Sequence, residues 1–398
     1  MLDRAIVMIG GGKLQMPALQ WAREAGLKVL LIDKNMASND SLNAAEFLNA
    51  PGDNSEQIEN FVLKIKEKYN IVGCYCGSDF GLKSVAKLNE MLGIEGPGLQ
   101  SVHDCLNKEE AKNKMKQAGL PVIEGSTFEE IPSNLPSKFS FPLIVKPLDS
   151  SGSRGVSVAM NEKQLKSAFS NAKKFNAKVL VENYLEGSHI DISGIFINKK
   201  FFPGGILDRF FSPLPYRVPI YGIQPSSISQ KQQKDLYTLL EKAARSLGIL
   251  SGPIKADIIL TDHGPFIIEI TPRLHGEVSS SFVCNLTYGT SPVKQWINWI
   301  SSKKLPDEQA FHKESCYSGW AGIFCNRSGT LKNIKGIQKT KEIDGIEDVL
   351  IRRGIGSHFK STTDNTALIG FLFASAQSAR DVMNIFQEAM KTIEIDME

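Results

Sequence analysis

The stretch "IKADIILTDHGPFIIEITPR", residues 254–273, constrains the fold of this chain more than any other. Two apolar runs of strand length flank Asp262-His263-Gly264, so the segment reads as an antiparallel hairpin. A three-residue turn there opposes Asp257 to Glu269, Lys255 to Thr271 and Pro253 to Arg273, all on one face. Directly opposed residues hold their Cβ atoms about 4.5–5.5 Å apart, and like charges so placed repel unless positive charge lies between them. Two chemistries meet that demand. Hard carboxylates beside a hydroxyl suit Mg²⁺, which takes one or two protein carboxylates and fills its other positions with water and phosphate oxygens. Alternatively, Lys255 neutralises the pair.

A second hairpin is written in "LIVKPLDSSGSRGVSVAM", residues 143–160. Lys146 sits in an apolar strand, where an unpaired ammonium is costly. The strand runs into Ser150-Ser151-Gly152-Ser153-Arg154-Gly155, a loop rich in backbone donors and hydroxyls. Such a loop can close over phosphates, or serve as a flexible tip beneath a snorkelling lysine.

The N-terminal "AIVMIGGGKLQMPALQWAREAGLKVLLIDKN", residues 5–35, has the outline of a dinucleotide-binding unit. With Gly10 and Gly12 as the first two glycines, Gln15 falls where the fingerprint needs a third small residue. The match to an NAD site is incomplete, although the loop and helix start still suit an anion.

At 398 residues the chain is long enough for two or three domains. Residues 1–105 alternate strands and helical patterns as a small parallel α/β domain. Residues 106–300 form an α+β region built on hairpins, and residues 301–398 a third segment of strands with a final amphipathic helix. A formal charge of +3 is too mild to argue for nucleic acid. No apolar run approaches a membrane span or a signal peptide. The six cysteines include no C-x-x-C pair, so buried free thiols and a cytoplasmic location are expected.

A lysine strand with a Ser/Gly-rich loop, then "VLVENYLEGSHIDISG", then paired carboxylates ending in "EITPRLHGE" resembles, in that order, the ATP-grasp superfamily. The resemblance covers nearly the whole chain and implies three parts: a preceding α/β domain, the α+β grasp and a C-terminal domain. It implies ATP and Mg²⁺, with Mn²⁺ as a possible substitute. Lys108 and Lys146 match the two phosphate lysines, with Lys146 also counted as catalytic. Ser150, Ser151, Gly152, Ser153 and Gly155 match the mobile loop. Glu182, Asn183, Tyr184 and Leu185 match the hinge strand that reads adenine through carboxylate and backbone. His189 lies where related carboxylases place a ribose contact. Asp257 and Glu269 match the metal carboxylates, and Arg273 the arginine beside the reacting acyl phosphate.

One position departs from the pattern. Many members carry asparagine as a third metal ligand, where this chain has Thr271; purine-pathway members resemble "EITPRLH" and lack that asparagine too. The implied reaction is a carboxylate–amine ligation through an acyl phosphate, releasing ADP and phosphate. The alternative is a carboxylase that makes carboxyphosphate from bicarbonate. Gly10 to Lys13, thus Gly11, Gly12 and Lys13, are expected to hold the acceptor's anionic group. Asp79, Arg217, Lys255, Arg352 and Arg353 are further candidates for substrate contacts. The implied partners are small-molecule carboxylates and amines, with a homodimer compatible and no nucleic acid or membrane partner.

Overall fold

The computed structural model describes residues 2–35, 43–132, 134–325, 327–360 and 363–398. The first strand, β1 (Asp3–Ile9), is buried on both faces, as a parallel strand between helical layers requires. It joins β2 (Lys28–Asp33), β3 (Glu46–Asn49) and β4 (Tyr69–Cys76) in a parallel sheet of order β3-β2-β1-β4. Its Ala5, Val7 and Ile9 pack with Ile58 and Val62 of α2 (Ser55–Ile65) and Val85 and Leu88 of α3 (Leu82–Leu92). Ile6 and Met8 point the other way, toward Leu19 of α1 (Met16–Glu24) and toward Trp296 and Ile297, from the helix Pro292–Ser302. The central region thus supplies part of the N-terminal core.

Helix α4 (Leu99–Leu106) leads into α5 (Lys108–Gln117), which Asn107 caps by accepting from the Glu109 and Glu110 amides. Strands β5 (Gly125–Phe128), β6 (Leu143–Pro147), β7 (Ser157–Ala159) and β8 (Val179–Asn183) form an antiparallel sheet of order β5-β8-β6-β7. The expected β6–β7 hairpin is present, with Val145 opposite Ser157.

The large sheet has eight strands. Strands β9 (Ser188–Ile197), β10 (Lys200–Phe211), β11 (Pro219–Gln224), β12 (Gly252–Thr261) and β13 (Gly264–Thr271) come from the central region. Strands β14 (Tyr317–Phe324), β16 (Ile346–Ile351) and β18 (Leu368–Ala376) extend it from the third segment, in the order β13-β12-β9-β10-β11-β14-β18-β16. The sheet therefore continues across the boundary expected at residue 300. A three-stranded sheet, β17 (His358–Phe359), β15 (Gly329–Lys335) and β19 (Glu394–Met397), completes the C-terminal part.

Alternation along these strands separates core from cleft. Ile190 and Ile192 of β9 and Ile254, Ala256 and Ile258 of β12 pack with Leu236 and Leu240 from the helix Gln230–Ser246. The opposite face carries His189 and Asp191 on β9, and Lys255 and Asp257 on β12. The β12–β13 hairpin keeps the expected register at Asp257↔Glu269 and Lys255↔Thr271, though by another route. Its turn is two residues, with Thr261 opposite Gly264, and a bulge between Asp257 and Ile258 supplies the missing residue. That bulge shifts the alternation, so Ile267 and Ile270 both reach the core. Strand β13 ends at Thr271, and the expected Pro253–Arg273 pairing is absent from the ladder.

Candidate active site

A cleft lies where the two hairpins meet the C-terminal edge of the N-terminal sheet. It encloses a cavity of about 270 Å³ lined by Lys108, Lys146, Ser150 to Arg154, His189, Asp191, Arg209, Arg217, Lys255, Asp257, Glu269, Arg273 and Asp79. A second lobe shares Lys108, Ser150 and Glu269 and runs past Thr271 to Asp53, Phe80 and Lys83. Ligands of parallel α/β sheets bind at this edge.

The cleft floor is a row of carboxylates across three strands. Asp191 on β9 opposes Asp257 on β12, which opposes Glu269 on β13. A cation fills each gap. Arg209 donates to Asp191 through Nε at 2.8 Å and also through Nη2, and reaches Asp257 through Nη1 at 3.3 Å. Lys255, whose side chain is 4% exposed, lies 3.0 Å from Asp257 Oδ1 and 3.1 Å from Glu269 Oε1. Burial alone would raise the Glu269 carboxyl, but Lys255 and Lys108 outweigh it and hold it down at about 2. Asp257 is likewise held below the usual range: the Lys255 and Arg209 cations outweigh its burial. Burial keeps His275 neutral, far below its ordinary value. Its Nε2 lies 3.2 Å from the Ile192 carbonyl and donates to it, leaving Nδ1 to accept from Arg209 at 3.3 Å.

This donor set fits a divalent cation. Asp257 and Glu269 offer hard oxygens, the Thr271 hydroxyl lies 3.3 Å from Glu269 Oε1, and Lys255 already marks a bound positive charge between them. Asp191, Asp257 and His275 also converge within 4.8 Å, but Arg209 reaches both carboxylates there.

On the opposite wall, Lys146 is buried and lies 2.6 Å from Glu182. Burial pushes the Lys146 ammonium down to about 8, with Lys108 adding to it. Lys112 contacts the other Glu182 oxygen, so one carboxylate holds two buried lysines. The Glu182 carboxylate, expected to read adenine, is here the shared partner of these two lysines. It is fully buried and engaged by both lysines, because an unpaired buried charge would cost several kcal/mol (about 3–5 on removal of one partner). Asn183 is also occupied, donating to the Lys138 carbonyl and accepting from the Ser140 amide.

The loop at 150–155 takes positive φ at Gly152, Ser153 and Gly155. Lys108 donates to the Leu148 and Ser150 carbonyls at its base. Ser153 Oγ donates to the Arg217 carbonyl, and the Asn365 amide donates to the Gly152 carbonyl. Both neighbouring segments therefore hold the loop. Arg217 lies 2.7 Å from His189 Nε2 and over the Phe211 ring, 6.0 Å from the Tyr184 ring. Burial, then Arg217 and Arg209, push His189 down to about 3, so it is neutral. This places Arg217 on the hinge side of the cleft.

The N-terminal loop is placed otherwise. The Gly11 amide donates to Asp33 Oδ2 at 2.7 Å, and Lys13 Nζ donates to the Ile351 carbonyl at 2.9 Å. Gly11, Gly12, Lys13 and Arg352 do not line the cleft, nor do Gly155 and the hinge residues Asn183, Tyr184 and Leu185. Asp79 does, and it pairs with Arg273 Nε at 2.6 Å. Sequence reasoning missed Lys112, Asp191, Arg209 and His275. Lys112 was within reach, four residues from Lys108 on one helical face; Arg209 and His275 carried no local signal.

The ATP-grasp domain model matches residues 105–277, and the L-amino acid ligase C-terminal domain 2 model matches residues 323–398. The crystal structure of an L-amino acid ligase from Bacillus licheniformis superposes over 100% of both chains with a TM-score of 0.86 and 19% identity. The L-arginine-specific L-amino acid ligase of Bacillus subtilis is 26% identical over 279 residues, 66% of this chain and 65% of that protein. A D-alanine–D-alanine ligase of Streptococcus thermophilus is 24% identical over 268 residues, 58% of this chain and 73% of that protein. Among the described residues, no helix is long and apolar enough to cross a membrane.

Proposed function

We propose that this chain, whose residues 105–277 match the ATP-grasp domain model, is an ADP-forming carboxylate–amine ligase that joins the carboxylate of one amino acid to the amine of another. The observation that carries this reading is the Arg273–Asp79 pair at the inner end of the cleft. A guanidinium binds a carboxylate in a fork, and a carboxylate binds an ammonium. Together they complement both charged ends of an amino acid, next to the row where phosphoryl transfer would occur.

The reaction is chiefly positioning and charge neutralisation. Lys108 and Lys146 face the phosphates of ATP, and the 150–155 loop covers them and excludes water. Asp257 and Glu269 would hold Mg²⁺, which neutralises phosphate charge when bound. Arg273 orients the carboxylate so that one of its oxygens attacks the γ-phosphorus and ADP leaves. The amine of the second amino acid then attacks the acyl carbon, phosphate departs with the carboxylate oxygen, and the nitrogen loses a proton. Arg273 stabilises the oxyanion that forms between these events. The second lobe, along Phe80, Lys83 and Asp53, gives this amino acid its path in.

A screen of amino-acid pairs for ATP-dependent ADP release tests the reading. Release that needs a carboxylate and an amine, with a dipeptide by mass, supports it; release that needs bicarbonate instead would overturn it.

A further inference from the structure

Among the described residues, Lys255 is the one cation of the cleft that ion-pairs with both candidate metal carboxylates. It projects from β12 two residues before Asp257, and its ammonium lies nearly equidistant from Asp257 and Glu269. Among the described residues, these two carboxylates are its ion-pair partners. Its register partner Ser193 donates to the Gly204 carbonyl, and Thr271 leans on Glu269. Arg209 repeats the arrangement one gap along, so the row alternates strictly in sign from Asp191 to Glu269. An ammonium and a divalent ion repel at such spacings, and Lys255 is too buried to withdraw into water.

We propose that Lys255 is a tethered counter-cation that takes one of the positive-charge positions between Asp257 and Glu269, so that this site admits a single divalent cation with its nucleotide. The proposal rests on the ATP-dependent reading above. Lys255 then faces the phosphates from the floor while Lys108 and Lys146 face them from the wall, and Asp257 and Glu269 would hold the single remaining cation.

Mn²⁺ counted by electron paramagnetic resonance, at saturating non-hydrolysable ATP analogue, is the test. The full chain should bind one Mn²⁺ per bound nucleotide, and Lys255→Met and Lys255→Gln should each bind two. Two ions in the unaltered chain, or one in variants that still bind nucleotide, would overturn the proposal. The unaltered chain's count decides alone if the variants do not fold. Failure of the chain to bind analogue and Mn²⁺ at all would instead remove the ATP-dependent reading on which the proposal rests.

Discussion

Two glycine-rich loops follow apolar strands in this chain, and they share composition but not situation. Gly10-Gly11-Gly12-Lys13 follows β1, and Ser150-Ser151-Gly152-Ser153-Arg154-Gly155 follows β6. In the first, Asp33 and the Ile351 carbonyl consume the Gly11 amide and the Lys13 ammonium. In the second, most contacts engage carbonyls and side chains, and Ser150 to Arg154 line the cleft. A glycine loop becomes a ligand site where its donors stay unsatisfied, and a nearby carboxylate can fill it from within. The N-terminal loop is thus tied to the third segment through Lys13, whereas under the proposed reading the second loop covers the phosphates.

The contrast can be broken at several points, the largest at the floor beneath the second loop. Glu269→Gln should leave the hairpin paired yet lower turnover by at least ~10²-fold, the scale of one lost transition-state contact. Near-normal turnover at saturating Mg²⁺ would remove the metal from Glu269. Next, trypsin should cut after the exposed Arg154 in the free protein and be slowed about tenfold or more by ATP, as a closing loop requires. Equal rates with and without nucleotide would leave the loop no covering role.

The glycines themselves sharpen the comparison further. Gly152 has φ +68°, so Gly152→Val forces a left-handed conformation that costs about 1–2 kcal/mol. ATP affinity should fall about tenfold. Gly12 has φ −70°, and a Cβ there meets only the flexible Gln15 side chain at 3.1 Å. Gly12→Ala should therefore change ATP affinity and acceptor KM by no more than about twofold, the scale of a surface substitution. A large rise in acceptor KM for Gly12→Ala would return the N-terminal loop to the substrate site.

The smallest effect is a pH dependence. A Glu269 carboxyl held at about 2, against about 4.3 unfolded, contributes stability that is present above pH ~4.3 and is lost as pH falls toward 2. Lys255→Met removes the main support, so both carboxyls rise and this share of the acid sensitivity shrinks. The melting temperature of nucleotide-free protein should fall less steeply with acid in Lys255→Met than in the unaltered chain; parallel curves would separate Lys255 from the carboxylates.

What the sequence disclosed follows how local each signal was. Asp257 and Glu269 lie twelve residues apart in one hairpin, so alternation and a turn sufficed to oppose them, even though the turn is two residues and a bulge restores the count. Asp191 and Arg209 enter the same row from β9 and β10, whose order against β12 no local pattern states. Glu182 was legible as a hinge residue but not as the counter-ion of Lys112 and Lys146, which depends on α5 and β6 each bringing a lysine to β8. The third segment read as separate because "SSKKLPDEQAFHKES" is polar and apolar-poor. Its strands nevertheless extend the large sheet, since β11 offers an open edge to β14.

In the proposed reaction a carboxylate oxygen is transferred to phosphate within this cleft. An amino acid labelled with heavy oxygen in its carboxylate, incubated with ATP, Mg²⁺ and an amine acceptor, tests it most directly by mass spectrometry of the released phosphate. Each amide bond formed should yield one phosphate carrying one heavy oxygen. Unlabelled phosphate, with product still forming, would contradict the acyl-phosphate route and the roles given to Arg273 and Glu269.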